Sequence, residues 1–264
     1  MPVICQDSLP VAAWMAPATR RLPGIQPLDP AAWLQLDERY AAQMAYRDRL
    51  IAEVPATVHA LAPAARPAAG ELLDRVLAEL ARLPGFERRT GALRRPDGVT
   101  VPIDRTRPLI TAGRLVQEDL CLVEKRDGAH VLTGAVLCFP ASWSLEEKFL
   151  RPLDRIHRPV AAYTPDLARR VDRLFDAIRP EQPLWRANAL LYADPELHQP
   201  RRETDPRSAP PGGKARYLRA ERQCLLRLPE TRAVVFSIHS YVVPRDRLTA
   251  AQRAGLAAHP VTAA

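Results

Sequence analysis

The chain has 264 residues, 47% of them hydrophobic, enough to bury a sizeable core in one large domain or in a domain with an extension. No apolar run approaches the roughly 20 residues of a bilayer span, and the N-terminus has no basic start followed by an apolar core. The sequence therefore reads as a cytoplasmic protein with no membrane segment. The net charge of +8 invites a nucleic-acid reading, but Lys occurs only at Lys125, Lys148 and Lys214. The Arg residues are dispersed and stand beside acids, as in Asp37-Glu38-Arg39 and Asp172-Arg173, which marks a solvated surface and no nucleic-acid partner.

In chain order, the Pro-rich residues 1–28 predict an irregular wrap. Asp29-Pro30 is a cap followed by Pro in the first turn, opening a helix expected to run to about Glu53 with Trp33, Leu36, Tyr40 and Met44 at helical spacing. Ala60 to Ala69 is Ala/Pro-rich and reads as a loop. Leu72, Leu73, Val76, Leu77, Leu80 and Leu83 predict a second helix stopped by Pro84-Gly85. Pro96-Asp97-Gly98 is a turn signal, and a further helix is expected over 108–116.

Two strands follow, 120–125 and 129–139, joined as a hairpin through Arg126-Asp127-Gly128. Ser144 with Glu147 three residues on is a capping box for a short helix. Thr164-Pro165 caps a longer one to about Ile178. Three strands close the core at 184–193, 215–228 and 232–243, and the polar loop Gln199 to Gly213, with four prolines, reads as mobile. The expected architecture is α+β: a five-stranded antiparallel sheet with helices on one face and an N-terminal helical extension. The element order is that of PAS sensor domains, which hold ligands between sheet and helices. The boundaries expected are an extension over 1–105 packed on the core, the PAS-like core over 106–250, and a tail over 251–264.

Period-2 alternation gives each closing strand a polar row. Arg186, Asn188, Leu190 and Tyr192 share a face of the first; Tyr217, Arg219, Glu221 and Gln223 share one of the second; Ser237, His239 and Tyr241 share one of the third. Three rows on one side of the sheet would line a polar cavity, where buried ionic groups must be paired or bind a ligand. His157 lies between rigid turns after the short helix, whereas His59, His130, His198 and His259 sit in loop or turn sequence and read as surface residues. Cys5, Cys121, Cys138 and Cys224 show no CxxC spacing and read as buried reduced thiols. There is no GxSxG, Walker loop or Gly-rich dinucleotide turn, so electrons for any redox step come from elsewhere.

Leu115-Val116-Gln117-Glu118-Asp119-Leu120, Cys138-Phe139-Pro140-Ala141-Ser142-Trp143-Ser144, Ile156-His157-Arg158-Pro159-Val160, Trp185-Arg186-Ala187-Asn188, and Arg219-Ala220-Glu221-Arg222-Gln223 with Arg227-Leu228-Pro229 are a combination of motifs. In that combination the chain resembles the haem-dependent oxidative N-demethylases, from about Leu22 to Leu248. The resemblance implies haem b bound by the PAS-like core and O2 as co-substrate. It also implies oxidation of a small amine with release of formaldehyde. NADPH, FMN and a 2Fe-2S cluster are expected on a separate reductase partner.

His157 matches the family's isolated His and is the expected iron ligand. Arg186 and Arg219 are candidates for polarising O2 or pairing with haem propionates, with Asn188 beside them. Glu221 is the candidate for holding the substrate ammonium, and Tyr241 or Tyr192 for hydrogen bonding near the iron. Glu118 is a weaker candidate, and Cys138 an alternative thiolate ligand. Ala189 stands where an aromatic residue is expected and His239 where Arg or Lys is expected; both lie on the pocket strands, so the resemblance leaves the amine open. The alternative reading is a haem-binding PAS module that senses a gas without catalysis.

Overall fold

Asp127 and Gly128 both adopt positive φ, 50° and 84°, the backbone of a tight two-residue hairpin turn. They join the two strands expected there. A computed structural model of the chain describes residues 3–158, 164–205 and 215–261. Residues 206–213 of the expected mobile loop, and Pro159-Val160 of the His157 motif, lie outside the described residues.

In chain order the elements are α1 (Pro17–Arg20), β1 (Gln26–Pro27), a 3-10 turn (Pro30–Ala32), α2 (Tyr40–Glu53), α3 (Pro55–Val58), β2 (His59–Leu61), α4 (Arg66–Leu80), the short strands β3 (Glu87–Arg89), β4 (Ala92–Arg94) and β5 (Thr100–Pro102), and α5 (Pro108–Gly113). The hairpin β6 (Asp119–Arg126) and β7 (Ala129–Val136) is followed by α6 (Leu145–Lys148), α7 (Leu153–His157) and α8 (Pro165–Ala177). Then come β8 (Leu184–Tyr192), β9 (Tyr217–Arg227), β10 (Val234–Pro244) and α9 (Ala250–Ala258).

The fold is α+β, but the sheet is larger than expected. Seven antiparallel strands run in the order β1-β8-β9-β10-β6-β7-β2, and β3-β4-β5 form a separate three-stranded sheet. The five expected strands are its centre. β1 pairs Gln26 with Trp185, and β2 pairs Ala60 with Ala135. These additions cover both edges of the five-stranded set, where unpaired backbone groups would otherwise face solvent. With two and three residues, they are too short to carry a periodic signal.

The helices cover both faces of the sheet, not one. On one face Leu50, Leu72, Leu73, Val76 and Leu109, from α2, α4 and α5, pack with Leu120, Leu122, Val136, Leu226 and Val235. On the other, Leu145, Leu153, Ile156 and Phe175, from α6, α7 and α8, pack with Cys121, Val123, Ala135, Leu225 and Ile238. Alternation along each strand separates the two sets.

The helix expected from Pro30 to Glu53 is broken. Asp29 Oδ1 accepts from Ala31 N at 3.0 Å and caps only the 3-10 turn, and α2 starts at Tyr40. The backbone between them serves tertiary partners: Gln35 N donates to Glu118 Oε1 at 2.8 Å and Asp37 N to Gln117 Oε1 at 3.1 Å. Part of the expected loop 60–69 is ordered as β2 and the start of α4, because Ala65, Ala68 and Ala69 are small enough to be wholly buried against the sheet. No helix among the described residues is long and apolar enough to cross a membrane.

Candidate active site

The path from β7 to His157 is fixed by buried polar contacts. Asp119 Oδ1 and Oδ2 accept from the backbone N of Cys138 and Phe139 at 2.7 and 2.9 Å, and the buried Arg47 Nη1 donates to Oδ1 at 2.6 Å. Arg219 donates from Nη1 to Leu197 O at 3.0 Å and from Nη2 to Phe139 O. Ser144 Oγ accepts from Glu147 N at 3.4 Å and caps α6, the first half of the expected capping box, while the Glu147 carboxylate meets Ser144 Oγ at 3.3 Å. Leu150 N then donates to Leu132 O at 2.9 Å and Leu132 N to Arg151 O at 3.1 Å, so α7 is tied to β7.

His157 ends α7, half-buried, with Nδ1 2.7 Å from the carbonyl oxygen of Leu153. A carbonyl only accepts, so Nδ1 carries the hydrogen and the lone pair is on Nε2. Burial lowers the imidazole pKa below its ordinary value, the Leu153 bond opposes this, and the charges of Arg186 and Lys148 lower it further. The ring is therefore neutral at neutral pH.

The register of β8 on β9 pairs Arg186 with Gln223, Asn188 with Glu221, and Leu190 with Arg219. Cross-strand partners share a face, and this row continues into Leu184 and Leu225, which pack with α7 and α8. Two of the three expected rows thus fall on the His157 side. Arg186 Nη1 donates to Gln223 Oε1 at 2.9 Å and Nε to Pro23 O at 3.0 Å. Glu221 Oε2 accepts from Gln223 Nε2 at 2.8 Å and from Asn188 Nδ2 at 3.1 Å, and Arg219 Nη2 lies 3.9 Å from Oε1. Tyr192 is on the same face, its hydroxyl 3.2 Å from Ser142 Oγ. Arg186, Asn188 and Leu190 remain half-buried, which leaves a polar ledge beside α7.

The third row falls on the opposite face. β10 pairs Ser240 with Glu221, His239 with Arg222 and Tyr241 with Ala220, so Ser240 joins the His157 side while His239 and Tyr241 turn towards α2. There His239 is clamped between carboxylates, with Nδ1 3.0 Å from Glu118 Oε1 and Nε2 3.2 Å from Asp37 Oδ2. Burial alone would lower its pKa, but the two carboxylates raise it to about 9, and Asp37 is held down at about 2. This triad escaped the sequence reading; the signal was His239 itself, a lone His in an apolar strand facing a polar Gln-Glu-Asp run.

One further expectation changes, and the reading of the cysteines as buried reduced thiols holds. His130 is buried, not at the surface: Nδ1 lies 2.6 Å from Asp172 Oδ1 and the ring lies against Phe175. The four cysteines are free and buried, and burial pushes the Cys138 thiol up to about 12, so it is not a thiolate at neutral pH.

The donor set on the His157 side fits a haem. A neutral imidazole whose Nδ1–H is held by a carbonyl is the form that ligates iron through Nε2. The Arg186 guanidinium, whose charge acts on the ring, is of the kind that pairs with carboxylates. Residues 159–163, directly after the ring, lie outside the described residues. A family model described as haem-dependent oxidative N-demethylase, alpha subunit-like, matches residues 24–261, and the chain belongs to that family.

Proposed function

We propose that the chain is the haem-bearing component of an oxygenase that removes a methyl group from a small amine. The carrying observation is that His157, neutral and with Nδ1 held by Leu153, lies on the same side of the sheet as the row Arg186, Asn188, Arg219, Glu221 and Gln223. The five central strands with α6, α7 and α8 serve as a PAS-like cradle. Haem b bound there supplies O2 activation. One oxygen atom ends in formaldehyde and the other in water, with two electrons from outside the chain. NADPH, FMN and a 2Fe-2S cluster on a separate reductase are the proposed source, and the family description "alpha subunit-like" supports a multi-component enzyme. We assign the reaction to the cytoplasm, where NADPH is at hand.

His157 Nε2 is the proposed ligand. Arg186 pairs with a propionate, and Asn188 orients Glu221 through its 3.1 Å bond. Glu221 accepts the substrate ammonium on the half-buried ledge. Arg219 has both terminal nitrogens engaged by the carbonyls of Leu197 and Phe139 and by Ser240, so it positions Glu221 and the 138–144 segment rather than meeting O2. Tyr241, on the far face, takes no part in this chemistry.

The test is formaldehyde release from a panel of N-methyl amines by haem-loaded protein with O2 and a surrogate reductase. Haem binding with no turnover of any amine would contradict the proposal and favour a gas sensor.

A further inference from the structure

On the sheet face away from His157, a cavity of about 300 Å³ is lined by Gln6, Ser8, Gln35, Asp37, Glu38 and Tyr241. Tyr241 is only 2% exposed, and its hydroxyl makes no hydrogen bond among the described residues. A buried phenol ordinarily has a partner. This one opens into the cavity.

The free side-chain hydrogen-bonding capacity of the lining is mostly acceptor. Gln6 Nε2 donates to Asp37 Oδ2 at 2.9 Å and Ser240 O at 3.4 Å, and Gln35 Nε2 to Ala32 O at 2.9 Å and Leu34 O at 3.3 Å. The carboxamide donors are thus engaged. Asp37 is also saturated, since Oδ1 accepts from Arg39 N and Gln117 Nε2, each at 2.8 Å, while Oδ2 takes Gln6 and His239. What remains among the described residues is acceptor capacity: the Tyr241 oxygen, Gln35 Oε1, and Glu38 Oε2, whose sister Oε1 already accepts from Asp7 N at 2.6 Å. The Ser8 and Tyr241 hydroxyls can act either way.

The charge has one sign as well. Asp37 and Glu118 face the His239 imidazolium, Glu38 Oε1 lies 4.0 Å from Arg39 Nε, and among the described residues Glu118 Oε2 is buried with no partner. Arg39 and Arg247 also pair with Asp7. Neither lines the cavity.

We propose that this cavity binds a small organic ammonium, whose N–H groups donate to the Tyr241 hydroxyl, Gln35 Oε1 and the Glu38 carboxylate. It is a second cation site, separated by the sheet from Glu221 and independent of haem.

Diethylammonium chloride is the probe, titrated into the full chain by calorimetry and followed by the side-chain amide signals of Gln6 and Gln35. Potassium chloride and sodium acetate at matched ionic strength are the controls. Saturable binding is expected, with amide shifts that neither control reproduces. Y241F and E38Q should each weaken it by about tenfold, the worth of one hydrogen bond to a charged group. Y241F should melt with the parent, because the hydroxyl holds nothing in the free protein. E221Q should leave the Gln6 and Gln35 amide shifts and their saturation unchanged, which separates this cavity from the proposed substrate site. The inference is overturned by absence of saturable binding in the millimolar range, by equal shifts with potassium, by unchanged affinity in both Y241F and E38Q, or by loss of these amide shifts in E221Q.

Discussion

His157 and Leu153 form a closed unit: the imidazole Nδ1–H and the carbonyl one helical turn earlier lie 2.7 Å apart at the end of α7. The bond fixes the tautomer and the direction of Nε2, and it raises the basicity of that nitrogen. Burial and the Arg186 and Lys148 charges keep the ring from taking up a proton. A histidine that belonged only to a salt bridge would show the reverse shift, as His239 does.

Glu221 is the acceptor at the centre of the polar row, holding Asn188 and Gln223 through one oxygen. E221Q keeps the shape and removes the charge. It should lower kcat/KM for amine-dependent formaldehyde release by about 10- to 100-fold, with most of the loss in KM, as expected when a hydrogen bond to a cation is weakened. An unchanged KM would remove Glu221 from substrate binding.

His239 links stability to pH. Its folded-state pKa of about 9 lies above the unfolded value of about 6.5, so its contribution is complete below pH 6.5 and is lost as pH rises through 9. Asp37, held at about 2, contributes above the ordinary carboxylate range and loses its share only as pH falls towards 2. Urea unfolding from pH 6 to 10 should show a decline that runs from about pH 6.5 to about pH 9 and is absent in H239Q. At pH 7, H239Q should cost about 3 kcal/mol, because it leaves the buried Glu118 and the half-buried Asp37 without their cation.

Arg47 and Asp119 are both buried, and the carboxylate also holds the backbone of Cys138 and Phe139. D119N leaves the Arg47 guanidinium without a counter-charge and turns one acceptor into a donor against these N–H groups. Chemical denaturation should report a loss of about 3–5 kcal/mol. A loss below about 1 kcal/mol would mean that the anchor of the segment leading to α6 and α7 is dispensable.

Much of this arrangement was legible where local chemistry decides it. Asp127-Gly128 announced its turn through the positive φ it must adopt, and Ser144 and Thr164 announced their helix starts through the caps they form. Arg186 with Asn188, and Arg219 with Glu221 and Gln223, could be grouped by alternation within each strand. Alternation does not fix register between strands, however. Pairing of Ser240 with Glu221 sends His239 and Tyr241 to the far face. The His239 triad needs partners 121 and 202 residues away, and His130 is covered by Phe175 and Asp172 of α8. Such burial is a property of packed elements, which no local pattern encodes.

Haem ligation through His157 is tested most directly by the absorption spectrum of purified, haem-reconstituted protein and its H157A variant, with circular dichroism to establish that both are folded. The parent should show a Soret band of one-to-one stoichiometry that is lost or strongly shifted in H157A and restored in part by added imidazole. An identical Soret band in folded H157A, or a folded parent that takes up no haem, would contradict it.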